Sequence, residues 1–240
     1  MNRKRDTKSL LDAAAEQHKQ IAAGYESALR NKSLDLRVPV KNLMENLRSA
    51  LDYMAHDIYE ACCQPSRLAK GLPDPKNVYF PYGRSLNDFK SGLGSSLPGL
   101  ESSSSAVHDL LLSIQPFTCG DSWLYDLCSV LNEKKHDRLT EQVRIETQTH
   151  SVQGPYGSVT IVTNNPNVRV SSIPGAVRIF GVPAEFRPDG IYTAPSPDLK
   201  HVVTTWVGFT FAGTEVNVLG LLNKAVAGIT QLSENLSKLI

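Results

Sequence analysis

The chain has 240 residues, enough for one large or two small domains with a sizeable core. Its 25 lysines and arginines are nearly cancelled by 24 aspartates and glutamates, which excludes a surface given over wholly to nucleic acid. The four cysteines, Cys62, Cys63, Cys119 and Cys128, form no CxxC pair and no Cys/His zinc spacing, so reduced thiols and no metal or other cofactor are expected.

The chain opens on a basic run, Arg3, Lys4, Arg5 and Lys8, of the kind that is solvated or touches phosphates. No apolar segment follows it, so neither a secretory signal nor a membrane span is expected, and the localisation this implies is cytoplasmic. From Ser9 to Arg30, Leu11, Ala14, His18, Ile21, Tyr25 and Ala28 recur at steps of three and four, which predicts a long first helix. His18 lies on that stripe and reads as a histidine packed at a helix interface. Leu34, Leu36, Val38 and Val40 alternate with polar residues and predict a short extended lead.

Val40–Ala61 is the central amphipathic helix. Leu43, Leu47, Ala50, Leu51, Met54, Ile58 and Ala61 fill one face, and Lys41, Glu45, Ser49, Asp52, His56 and Glu60 the other. Arg48, Asp52 and His56 follow one another at i, i+4 steps along the edge between them. Prolines and glycines from Pro65 to Gly83 then predict a long connection in which VYFPY forms a brief strand. Ser85 and Asp88 suit a capping box for a short helix ending near Gly92, followed by a flexible serine-rich loop. Val107, Leu110, Leu111 and Ile114 predict a helix that must end before Pro116.

A further helix is expected from Asp121 to Leu139, with Trp123, Leu124, Leu127, Val130 and Leu131 inward. Its polar tail sets Asn132 and His136 on one side, flanked by Lys135 and Arg138. From Glu141 to Ala212 the period changes to two, with runs at Val143–Ile145, Val159–Thr163, Val168–Val170, Val177–Ile179 and His201–Phe211. NNPN, PG and RPDG supply turns. Thr214 is the expected cap of a last helix striped by Leu219, Leu222, Val226, Ile229, Leu232 and Leu236. The fold class is therefore α+β: a helical bundle (residues 1–139), an antiparallel β-rich insertion (140–213) and a C-terminal helix (214–240) packing back on the bundle.

Four segments, NLRSALDYMA, YFP, IQPF and LNEKKHDRL, match in order and spacing a pattern running HNLRSALDHLA, QFPI, LQPY and DKHR. Through them the chain resembles an uncharacterised bacterial and phage protein family over roughly Val40–Leu139. The RSALDH portion is similar to the Arg-x4-6-His motif of HEPN-type helical domains, many of which are metal-independent ribonucleases or RNA binders. The resemblance implies an arginine that holds the scissile phosphate and a histidine that moves protons at the 2′-hydroxyl. Arg48 matches, while Tyr53 stands in the histidine position and is a poor base near neutrality. KKHDR also departs from DKHR.

Three readings follow. In the first, the chain is a HEPN-like, non-catalytic binding module for RNA or a protein, and Arg48, Asp52, Tyr53, Asn132, Lys135 and Arg138 form a polar network at a helix seam. In the second it is a metal-independent ribonuclease of defence or toxin type, with Arg48 and either His56 or His136 as catalytic groups. In the third, the heptad-like first and last helices make a structural homo-oligomer.

Overall fold

The computed structural model describes residues 3–30, 35–133, 142–163, 169–173 and 175–240. It is an α+β structure of helices and antiparallel strands. Residues 1–142 with 210–240 make one compact unit and residues 143–209 a second. Among the described residues no helix is long and apolar enough to cross a membrane.

Helix α1 (Arg3–Arg30) starts six residues earlier than its apolar stripe implies. Arg3 bonds Asp57 and Glu60, and Lys4 Nζ donates to the Ile240 carbonyl at 2.8 Å, so tertiary partners keep the basic run helical. Lys8 pairs with Asp12, and internal partners rather than phosphates thus take much of this charge. Ala14, Ile21 and Tyr25 are buried against α2 (Arg37–Ile58). The expected extended lead is replaced by helix from Arg37 onward, because the Asp35 carboxylate accepts the Arg37 N–H at 2.9 Å and also binds its guanidinium. Pro39 then falls in the first turn, where no N–H is needed.

Helix α2 does not end at Ala61. A π-helical turn, Tyr59–Cys63, carries it into α3 (Gln64–Ala69), with Pro65 in the first turn of α3. Pro65 has no N–H for the carbonyl one turn back, and a wide turn accommodates that loss. The turn also rotates the apolar face. Tyr59 and Cys63 are buried, and Ala61, expected on the stripe, is exposed.

VYFPY is an irregular segment rather than a strand. Helix α4 (Leu86–Ser96) has the expected capping box: Ser85 Oγ accepts the Asp88 N–H, and Asp88 accepts the Ser85 N–H at 3.1 Å. It continues past Gly92 because Phe89, Leu93, Leu97 and Leu100 keep helical spacing and are all buried. Burial of that stripe also folds the serine-rich stretch into α5 (Leu100–Ser103) and the start of α6 (Ser105–Ser113). The short α7 (Pro116–Cys119) leads to α8 (Trp123–Glu133), whose predicted extension to Leu139 lies outside the described residues.

In the second unit, β1 (Gln142–Gly154), β2 (Gly157–Thr163) and β6 (Lys200–Phe211) form a sheet in the order β2-β1-β6, while β3 (Val177–Ile179), β4 (Val182–Arg187) and β5 (Gly190–Thr193) form another. Val152, Ile179, Ala184 and Ile191 are its buried core. Pro188 and Asp189 make the tight β4–β5 turn, and Gly190 (φ 156°) lies so close to the His150 ring that a Cβ would sit 2.6 Å from Nδ1. RPDG is a turn as expected, and the strands on either side of it, β4 and β5, are not among the runs that the alternation picks out. Val170 is outside any strand, and Val168 is outside the described residues. On β6, Val203 is exposed, so the predicted apolar face holds only toward Phe211.

Helix α9 (Val218–Leu236) packs on α1, α2, α6 and α8. Asn217, rather than Thr214, caps it, its side chain accepting the Gly220 N–H at 2.7 Å. Thr214 closes the preceding turn by donating to the Phe211 carbonyl. Leu222, Ile229, Leu232 and Leu236 are buried as expected, joined by Leu221 and Ala225, and Val226 sits at the edge.

Candidate functional site

The irregular segment Val78–Gly83 is the hub on which the quoted sequence motifs meet. Asp52 of α2 accepts the Phe80 N–H at Oδ1, 2.9 Å away. Gln115, fully buried between α6 and α7, accepts the Gly83 N–H at 3.1 Å and donates to the Leu111 carbonyl at 3.0 Å. Asn132 of α8 donates to the Tyr82 hydroxyl at 2.6 Å. An irregular backbone beside a core must find partners for its polar groups; Asp52 and Gln115 supply two of them, and Asn132 ties down the Tyr82 side chain.

Arg48 lies under this hub. Its guanidinium pairs with Asp52 at 3.3 Å, donates to Cys128 Sγ at 2.9 Å, and sits 5.3 Å from the centre of the Tyr82 ring. The Arg48 and Asp52 side chains are 15 and 24% exposed, so the pair is shielded but not fully buried. Tyr82 in turn packs on Tyr125 of α8 with ring centroids 6.2 Å apart.

The charges follow from that packing. Burial works against the positive charge of Arg48, but the Cys128 sulfur and the Asp52 carboxylate outweigh it and the group stays above its usual value. Burial pushes the Cys128 thiol up to about 11, against the pull of Arg48. Burial also raises the Tyr82 hydroxyl. At neutral pH the cluster is therefore a guanidinium–carboxylate pair among neutral groups, and it holds no activated nucleophile.

Cys128 makes alkaline stability a test of this arrangement. Below pH about 9 the thiol is neutral folded and unfolded, so its contribution is fully present. Between about 9 and about 11 the unfolded chain gives up the proton and the folded chain keeps it, so stability falls. Cys63, also raised to about 11 by burial, adds to the slope. Urea titrations at pH about 8 and about 10.5 should show this loss, and Cys128→Ala should lose less between the same two pH values. An equal loss in parent and variant would show that Cys128 ionises freely in the folded chain.

Of the residues expected at a site, Arg48, Asp52 and Asn132 come together through Tyr82, which bridges the asparagine to the arginine. Tyr53 points outward and is 37% exposed. His56 is half-buried one turn beyond Asp52, and its charge interaction is with Glu60. Lys135, His136 and Arg138 lie outside the described residues. Among the described residues no cluster of histidine, cysteine and carboxylate side chains is placed to hold a metal ion. The sequence reading missed Tyr82, Gln115 and Cys128. Cys128 was legible in part, since it stands midway between Leu124 and Asn132 at helical four-residue steps.

Comparison of the chain with family models, curated proteins and solved structures finds no match.

Proposed function

We propose that the chain is a HEPN-like, non-catalytic binding module, engaging an RNA or a protein partner, in which the Arg48 cluster is structural. One observation carries this reading: the guanidinium is already taken up by Asp52, Cys128 and the Tyr82 ring. A phosphate-holding arginine must present its planar fork to the ligand, and an arginine with these partners would have to leave them first. The residue at the motif's histidine position, Tyr53, supports the same conclusion. NLRSALDYMA, YFP, IQPF and the Asn132 helix meet on one segment, which supports a packing role for these residues.

Arg48→Ala should lower stability by about 1–3 kcal/mol, because Asp52 loses its charged partner in a shielded site. Mixed RNA is incubated with parent and variant without divalent metal, and melting curves are recorded on the same samples. No cleavage by the parent, with a lowered melting temperature for Arg48→Ala, is the expected result. Metal-independent cleavage that Arg48→Ala abolishes without moving the melting temperature would overturn the reading in favour of a ribonuclease using Arg48 with His56 or His136.

A further inference from the structure

A groove of about 520 Å³ opens beside the Tyr82–Tyr125 contact, between the start of α7, the outer face of α8 and the turn before α9. That volume lies within the ~300–1,000 Å³ range of small-molecule clefts. Phe117, Tyr125, Val130 and Val216 give it apolar walls, and Phe117 is 39% exposed. Two charged groups also line it, Arg84 and Asp126. Arg84 is exposed and among the described residues makes no hydrogen bond or ion pair, so its guanidinium is open to a ligand. Asp126 accepts the Ser122 hydroxyl at Oδ2, 2.6 Å away, leaving Oδ1 without a described partner. The other polar liners are spent locally. Ser129 donates to the carbonyl of Asp126, and Thr214 bonds within its own turn.

The groove therefore offers an unpaired cation, an anion with one open oxygen, and an apolar floor. We propose that it is a binding site for a short zwitterionic peptide of two or three residues with apolar side chains. The peptide carboxylate meets the Arg84 fork in a bidentate pair, the ammonium meets Asp126, and an aromatic or branched side chain lies against Phe117 and Tyr125. A purely anionic aromatic ligand, such as a mononucleotide, would leave Asp126 facing negative charge. A single amino acid would leave much of the volume empty. This site touches the Arg48 cluster only through Tyr125, which packs on Tyr82, and stands whether or not the chain engages RNA.

Calorimetric titration of the full chain with leucyl-phenylalanine tests the proposal. The arms are the N-acetylated dipeptide, the C-amidated dipeptide, free phenylalanine and adenosine 5′-monophosphate. Expected are binding of the free dipeptide, at least tenfold weaker binding of each blocked form, and weaker binding of phenylalanine than of the dipeptide. Arg84→Gln should weaken the free dipeptide at least tenfold while leaving the amidated one unchanged, and Asp126→Asn should do the same for the free and acetylated pair. Arg84 is exposed, so the melting curve of Arg84→Gln should overlay the parent's; Asp126 is half-buried in the first turn of α8, so the acetylated dipeptide serves as the internal control for Asp126→Asn. Equal affinity for free and blocked dipeptides, tighter binding of the mononucleotide, or no binding of di- and tripeptides at roughly 10 mM, ten times the ~1 mM Kd of weak ligands, overturns the proposal.

Discussion

Phe80→Ala should lower the unfolding free energy by about 3–5 kcal/mol, the range for deleting a fully buried aromatic ring. Phe80 is 1% exposed, and it is the side chain that anchors the Val78–Gly83 segment in the core. Its own N–H is held by Asp52, a backbone bond that Phe80→Ala keeps, so the variant reports on the ring alone. The neighbouring Tyr79 is 53% exposed, and Tyr79→Ala should stay within about 0.5 kcal/mol of the parent. Urea denaturation of the two variants separates the cases. A Phe80→Ala cost below about 1 kcal/mol would mean that the segment is not the buried hub on which the motifs converge.

Helical periodicity was legible wherever one face is buried over several turns. The α1 stripe at Ala14, Ile21 and Tyr25, the α8 stripe at Leu124, Leu127 and Leu131, and the α9 stripe at Leu222, Ile229 and Leu236 are all in the core. Ends and interruptions were less legible, because tertiary partners decide them. The start of α1 depends on Asp57, Glu60 and Ile240, all distant in sequence. The serine-rich stretch folds because Leu93, Leu97 and Leu100 bury, and composition alone hides those leucines among loop formers. In the β-rich unit, strands of three to six residues interrupted by glycine and proline carry too few alternations for a period to emerge.

The site was legible by residue type along one helix and illegible across helices. Arg48 and Asp52 are one turn apart, so their pairing follows from helix geometry alone. The partners that decide what Arg48 can do, Tyr82 and Cys128, are 34 and 80 residues away and belong to an irregular segment and another helix. Local spacing cannot encode that encounter. The same holds for Gln115, whose buried amide reads as an ordinary loop residue until the Gly83 N–H is seen to need it. Gly83 itself admits no larger residue without movement of backbone, since a Cβ there would lie 2.4 Å from the Phe89 nitrogen.

Leu47→Ala should cost about 2–5 kcal/mol, and it tests the helical face on which the whole bundle is laid out. Leu47 has no exposed surface and lies on the arc of α2 that continues through Ala50, Leu51, Met54 and Ile58. Neighbours on α1, α8 and α9 surround α2, so little backbone is free to collapse into the space left by three lost carbons. The cost should therefore fall in the upper part of that range. Ala61 supplies the matched control. Uninterrupted helical spacing from Ile58 would bury it, whereas the π turn at Tyr59–Cys63 turns it to solvent and buries Cys63 instead. Ala61→Glu should then be within about 0.5 kcal/mol of the parent, and Cys63→Glu should be severely destabilising because it places a carboxylate in the core. Denaturation midpoints of the three variants decide the register. A costly Ala61→Glu with a tolerated Cys63→Glu would show a continuous α-helix through this stretch, with the apolar face following the simple three- and four-residue period.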